Sequence, residues 1–188
     1  MNRVHHVICG SALWRCALSR KLVPWATQGI ELGDRLLEVG PGPGHVTDIL
    51  RARVSRLTAI EIDRDLAHSL GQRLTGTNVA VVAGDATAMP FTDAQFTGGV
   101  SFTMLHHVPS AAQQDRLFAE VYRVLRPGAM FAGTDSRDSW GMRLIHRGDT
   151  MVIVDPHTLG ARLERAGFRE VAVTIKRRVF RFRARKAS

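Results

Sequence analysis

The sequence predicts an α/β domain, doubly wound around a mostly parallel seven-stranded sheet that ends in an antiparallel hairpin. Three observations carry this expectation. Short apolar runs alternate with helical segments of about ten to fifteen residues, as in βαβ units around a parallel sheet. The first run leads directly into a glycine-rich turn, Gly40-Pro41-Gly42-Pro43-Gly44. Near the C-terminus, two strand-like runs are joined only by a short basic turn at Arg177-Arg178. A parallel return needs a crossover of about a dozen residues or more, so this pair must be antiparallel.

Taken in order, Val4 to Val23 has helical apolar spacing through Val7, Leu13, Trp14, Ala17, Leu18 and Leu22, and Pro24 is expected to end it. Arg35–Gly40 reads as the first strand, followed by the glycine turn and a helix over His45–Arg53. Leu57–Glu61 is the second strand, and Asp63 is placed to cap a helix over Arg64–Leu74. Val79–Ala83 is the third and Thr97–Phe102 the fourth, with a helix from about Ser110 to Leu125. The turn Arg126-Pro127-Gly128 precedes a fifth strand, Ala129–Thr134. Asp155–Ala166 is helical with Gly167 as its stop, and Val171–Ile175 and Val179–Ala184 form the hairpin. In the last run, Phe180, Phe182 and Ala184 alternate with Arg181, Arg183 and Arg185, so period two sends the arginines to the solvent face of an edge strand, where they discourage aggregation.

With 188 residues, the chain fits one domain: 1–30 a helical cover or lid, 34–135 a ligand-binding core, 136–188 acceptor-side helices and the hairpin. The 45% hydrophobic and 23% charged composition is that of a protein with a real core. No window approaches the roughly 18 apolar residues of a membrane span, and His5, His6, Arg15 and Arg20 break the N-terminal stretch, against an anchor or signal peptide. Cys9 and Cys16 would lie roughly 10 Å apart along one helix, unable to bridge, which points to a reducing cytoplasm. The net charge of +9 is local: Lys176, Arg177, Arg178, Arg181, Arg183, Arg185 and Lys186 supply seven charges, leaving +2 elsewhere. No Cys/His cluster has metal-ligand spacing, and His5 and His6 would diverge on a helix.

The glycine turn lets backbone approach a ligand, but its spacing excludes two nucleotide-type ligands. A dinucleotide fingerprint needs a third glycine where His45 stands, and a phosphate loop needs a Gly-Lys-Ser/Thr sequence that is absent. What remains is G-x-G-x-G, with Glu61 ending the second strand and Asp85 following the third.

These features, with LLEVGPGPGHVT at 36–47, AIEID at 59–63, GDATAMPF at 84–91, SFTMLHHV at 101–108 and EVYRVLRPGAM at 120–130, resemble the class I S-adenosylmethionine-dependent methyltransferases. The resemblance implies a Rossmann-like methyltransferase fold and S-adenosyl-L-methionine as cofactor, with S-adenosyl-L-homocysteine as product. It implies that Gly40, Gly42 and Gly44 pass under the methionine portion and that Glu38 orders the glycine loop and the methionine ammonium. Glu61 would accept from both ribose hydroxyls and Ile62 would pack on the adenine. Asp85 would accept from the adenine amino group, the Ala86 backbone would serve a ring nitrogen, and Ser101 and Phe102 would border the sulfonium.

The acceptor is less patterned. The first two motifs look like the adenine dimethylases of ribosomal RNA, but those carry an Asn/Asp-x-Pro-aromatic motif where this chain has Ser101-Phe102-Thr103-Met104. The segments at 104–108 and 121–128 instead resemble the ubiquinone/menaquinone-biosynthesis-type branch, which implies a small or lipid-like acceptor. Methylation of a hydroxyl or carboxylate oxygen is preferred, with His106 or His107 as the catalytic base for a hydroxyl. Arg143, His146 and Arg147 are candidates to hold an anion, or form a solvated basic face. The competing reading is an RNA-directed methyltransferase or nucleic-acid binder using the C-terminal arginines.

Overall fold

A computed structural model describes residues 11–188, so Cys9, His5, His6 and the start of the first expected helix lie outside the described residues. Seven strands form one sheet: β1 Arg35–Val39, β2 Arg56–Glu61, β3 Val79–Ala83, β4 Phe96–Phe102, β5 Leu125–Ser136, β6 Phe168–Ile175 and β7 Val179–Lys186. The spatial order is β3-β2-β1-β4-β5-β7-β6. The first five strands are parallel, and β7 runs antiparallel between β5 and β6. The doubly wound sheet with a terminal hairpin is therefore the one the sequence predicts.

The chain steps outward from β1 through β2 to β3, then returns to the other side of β1 as β4. Crossovers leaving in opposite directions open a crevice at the carboxyl ends of β1 and β4. Around the sheet lie α1 (Ala12–Ala17), α2 (Val23–Thr27), α3 (His45–Leu50), α4 (Arg64–Arg73), α5 (Ala111–Val124), α6 (Trp140–Ile145) and α7 (Pro156–Arg165). Their starts follow side-chain chemistry. Asp63 Oδ1 accepts from the backbone of Asp65 and Leu66, as expected, and Ser110 and Asp155 cap α5 and α7. Phe118, Phe131, Phe168, Phe180 and Phe182 are fully buried around β5 and β7. Truncating any one to alanine would cost about 3–5 kcal/mol.

Several expectations are corrected. Pro24 does not end the N-terminal helix. Leu18–Leu22 widens into a π turn, with the Val23 N–H bonded to the Leu18 carbonyl, and Pro24 then falls in the first turn of α2. A missing N–H costs little there. The turn Arg126-Pro127-Gly128 does not precede β5 but bulges inside it. Leu125 pairs with Phe96 and Met130 with Gly98, and Gly128 takes φ +79° between them. Strand β6 starts at Phe168 rather than Val171, across a second bulge holding Glu170 at φ 51°. Helix α6 has no buried side chain, so no apolar periodicity announced it.

Phe180, Phe182 and Ala184 face the core as expected, but β7 is an interior strand and β6 is the edge. The arginine stripe therefore guards no edge. Arg181 Nη1 donates to the Trp25 carbonyl at 2.7 Å, and its guanidinium lies 5.2 Å from the Trp25 ring centroid. Lys176 Nζ sits 4.1 Å from the same ring. Arg185 donates to the Gly128 carbonyl and to Glu170, while Arg183 is exposed. Two of the three stripe arginines thus hold the chain to itself.

Candidate functional site

A cavity of about 370 Å³ opens in the crevice, within the range of about 300–1,000 Å³ usual for small-molecule sites. Its floor is the glycine turn. Gly40 is tied to β2 through its N–H to the Ile60 carbonyl, and a side chain there would strike Met104, which also lines the cavity. Gly42 takes φ +53°, and a Cβ at Gly42 would meet nothing within 4 Å, leaving the cavity side of the turn open. Gly44 does not line the cavity; at φ 85° it starts α3 and donates to the Pro41 carbonyl. His45, one residue on, does line it, with a buried Nε2 that has no hydrogen-bond partner among the described residues.

Carboxylates stand at three successive strand ends. Glu38, in β1, is buried, and its Oε2 has no hydrogen-bond partner among the described residues. Burial pushes its carboxyl up to about 8; the Thr47 hydroxyl opposes this, and Asp48 and Glu61 add to it. Glu61, at the end of β2, accepts from Gly42 N through Oε2 at 2.9 Å and from Asp63 N through Oε1 at 3.1 Å. Each oxygen keeps a second lone pair, so the residue orders the glycine turn while still able to accept from a ligand. Asp85, after β3, is exposed and uses Oδ1 to accept from Thr87 N. Between them Ile62 lines the cavity at 71% exposure, an apolar surface left open at the rim. Ala86 and Phe102 also line the cavity; Ser101 does not, being fully buried with Oγ unpartnered.

The far wall is built by the turn after β4. Thr103 is held at φ 51°, an uncommon conformation for a β-branched residue, by donating its N–H to the Thr134 carbonyl at 2.7 Å. The short 3-10 helix Leu105–His107 then divides the two expected histidines. His107 lines the cavity, whereas His106 is buried behind it and does not. Asp135, fully buried at the end of β5, accepts from the His106 backbone N–H at 3.0 Å, from His106 Nδ1 at 2.5 Å and from Ser136 N at 2.6 Å.

Behind this pair the sequence-based picture changes. His146, expected either to hold an anion or to lie on a solvated basic face, is buried with Nε2 3.2 Å from His106 Nε2, while its Nδ1 meets the Met142 carbonyl at 2.8 Å. Burial pushes the His146 imidazole below its ordinary range, opposed by the Met142 carbonyl. His106, His107 and His146 bring ligand atoms all within 4.8 Å of one another, a cluster that no sequence spacing indicated. Arg143 is exposed and forked onto Asp138, and Arg147 is also exposed. A buried network that sequence reasoning missed braces the loop: Gln114 Nε2 donates to the carbonyls of Leu105 and Val152, and Arg162 donates to Gln114, Asp115 and the Ala111 carbonyl.

Trp14 and Leu18 from the N-terminal helical segment also line the cavity. No helix among the described residues is long and apolar enough to cross a membrane.

Known proteins share this fold and part of its sequence. Residues 37–133 match the methyltransferase domain family. The chain is 39% identical over 93 residues to ribosomal RNA small subunit methyltransferase A of Bordetella pertussis, covering 44% of this chain and 34% of that protein. It is 33% identical over 114 residues to a fatty-acid O-methyltransferase of Mycolicibacterium smegmatis, covering 60% of this chain and 40% of that one. The chain thus spans well under half the length of these curated relatives. Among solved structures, a SAM-dependent methyltransferase from Methanosarcina mazei superposes with a TM-score of 0.66 at 20% identity, covering 84% of this chain and 94% of that one. Haemonchus contortus phosphoethanolamine N-methyltransferase 2 in complex with S-adenosyl-L-methionine gives 0.75 at 14% identity, covering 95% and 53%. The matched segment runs from the glycine-turn strand through β5 and spans half the chain, so this protein belongs to the methyltransferase domain family.

Proposed function

We propose that the chain binds S-adenosyl-L-methionine in the crevice and transfers its methyl group to a small or amphipathic acceptor, preferably to a hydroxyl or carboxylate oxygen. The observation that carries this reading is the constellation on one cavity: an open glycine turn, an unpartnered buried Glu38 oxygen, and Glu61 and Asp85 at consecutive strand ends. The residues fit the cofactor's chemistry. Glu38 meets the methionine ammonium with a carboxylate oxygen that nothing else uses, and Glu61 offers its remaining lone pairs to the ribose hydroxyls. Ile62 gives the adenine an apolar face, while Asp85 and the Ala86 backbone serve the ring edge.

When bound, the cofactor supplies an electrophilic methyl carried on a sulfonium. The chain's work is then to hold the acceptor in line and to exclude water. Trp14, Leu18 and Met104 form apolar cover over the reacting end, and Phe102 fills the floor beside it. His107 lines the cavity, which supports it over His106 as the base for a hydroxyl acceptor; a carboxylate acceptor requires no base. His106 holds its position against Asp135 and supports the loop.

Two features favour a small acceptor over RNA. The N-terminal helical segment adds apolar Trp14 and Leu18 to the cavity lining, and Arg181 and Arg185 are engaged within the chain instead of forming a phosphate-reading stripe. The similarity to the fatty-acid O-methyltransferase also extends over more of the chain than that to the ribosomal RNA enzyme. Incubating the protein with methyl-labelled S-adenosylmethionine and an extract split into RNA, protein and organic-soluble fractions tests the reading. Label is expected in the organic or small-molecule fraction. Label in RNA would overturn the acceptor class, and no cofactor-dependent label would overturn the activity.

A further inference from the structure

The three histidines behind the cavity wall form the cluster that the methyl-transfer reading leaves unexplained. His106 and His146 lie forty residues apart in sequence, yet their Nε2 atoms face each other at 3.2 Å. Both rings have their tautomer fixed from the other side. Met142 O is a carbonyl and can only accept, so His146 carries its proton on Nδ1. Asp135 accepts from two backbone N–H groups as well as from the ring, so His106 also donates through Nδ1. Two neutral imidazoles so oriented aim lone pairs at each other in a buried space. A cation between them turns that repulsion into two bonds.

We infer that His106, His107 and His146 form a site for a divalent transition-metal ion, zinc being the best match, with its fourth coordination position open to the cavity. The geometry supports it. A tetrahedral ion with metal–nitrogen bonds of about 2.0–2.1 Å separates its ligand nitrogens by about 3.3 Å, close to the separation of the two Nε2 atoms. His107 supplies the third nitrogen. Its ring centroid lies 4.3 Å from that of His106 and 5.1 Å from that of His146, and all candidate ligand atoms fall within 4.8 Å. The half-buried His107 ring thus stands beside the pair. The outer contacts are those a metal site needs: a carboxylate orients His106 and a backbone carbonyl orients His146. Three neutral imidazoles favour zinc and its neighbours over magnesium or calcium, which prefer oxygen ligands.

His107 lines the cavity, so the open position faces the space assigned to the acceptor. The catalytic consequence rests on the methyl-transfer reading, while metal binding itself does not. With its lone pair on the metal, His107 no longer serves as the base; a hydroxyl acceptor taking the fourth position instead loses its proton to solvent as it enters, before the cavity closes around it. Its oxygen lone pair then forms the O–CH₃ bond as the C–S bond breaks, the electron pair returning to sulfur to give a neutral thioether.

The test uses the full chain carrying His5→Ala and His6→Ala, stripped with dipicolinate and titrated with Co²⁺ and then Zn²⁺. Saturation at one equivalent, with visible d–d bands of a four-coordinate nitrogen-ligated cobalt that Zn²⁺ bleaches, is expected. His107→Ala should weaken binding at least tenfold, and Asp135→Asn by about 10–100-fold. Absence of saturable uptake, as for a single proton shared between His106 and His146, would overturn the site; so would uptake undiminished in His107→Ala. If Asp135→Asn does not fold, His107→Ala decides alone, because its side chain is only half-buried. Metal uptake is read without S-adenosylmethionine, so its failure is distinguishable from failure of methyl transfer.

Discussion

The two walls of the cavity are built in different ways. On the β1–β3 side, each polar group sits at or just beyond a strand end: Glu38, Glu61 and Asp85 come from three consecutive βα units. On the β4–β5 side, the polar groups come from a 3-10 turn, the end of β5 and the loop after α6, and they meet only through tertiary contact. A wall made of strand ends needs only the sheet to form. A wall made of loops needs a buried anchor, and Asp135 with three N–H donors on it is that anchor.

This contrast sets the order of expected effects. Asp135→Ala should be the most damaging change: it leaves a buried imidazole and two backbone N–H groups without their acceptor. Unfolding free energy should fall by about 3 kcal/mol or more in urea titration. A loss under about 1 kcal/mol would mean that the loop wall does not depend on this carboxylate. Glu61→Ala should come next, since it removes both the proposed ribose acceptor and the tie on Gly42. Cofactor affinity should drop about 10–100-fold by calorimetry, and Asp85→Ala should cost about tenfold, its contact being exposed. Unchanged affinity in both would sink the cofactor assignment.

The same contrast explains what could be read from sequence. The strand-end wall was legible because its residues lie in or just after short continuous apolar runs and beside a glycine-rich turn, in motifs that resemble those of a known methyltransferase class. Asp63 as a helix cap was legible for the same local reason. His106 and His107 were visible as a pair, but nothing nearby says that one faces the cavity and the other Asp135. His146 follows a helix with no buried side chain, so no periodicity marked it as interior. Pro24 misled because a π turn absorbs it, and the arginine stripe misled because sequence alone does not reveal that β7 is flanked on both sides.

A pH series sharpens the comparison on the cofactor wall. Glu38 titrates at about 8 in the free protein against 4.5 unperturbed, so the folded state holds a proton that the unfolded state has lost between those values. Stability contributed by this group is therefore present at low pH and falls as pH rises through that window. A ligand ammonium beside Glu38 favours its charged form, so cofactor binding below pH 8 expels a proton. Affinity should rise with pH by up to about tenfold per unit and level off near 8, and Glu38→Gln should flatten the profile. A flat profile in the unaltered protein would place the ammonium elsewhere.

The smallest expected effect tests whether the cavity cover belongs to either wall. Arg181 joins β7 to α2 through the Trp25 carbonyl, and with Lys176 it flanks the Trp25 ring. Arg181→Ala removes one charge-assisted bond and one ring contact at a partly exposed position, so stability should fall by about 1–2 kcal/mol. The proposed cofactor contacts on the strand-end wall do not involve this residue, so cofactor affinity should stay within about twofold. Acceptor turnover should fall further than affinity, because α2 continues from the turn that carries Leu18 over the cavity, and a looser cover admits water at the reacting end. Equal losses in affinity and turnover would instead mean that the N-terminal segment supports the whole crevice, and that the two walls are not independent.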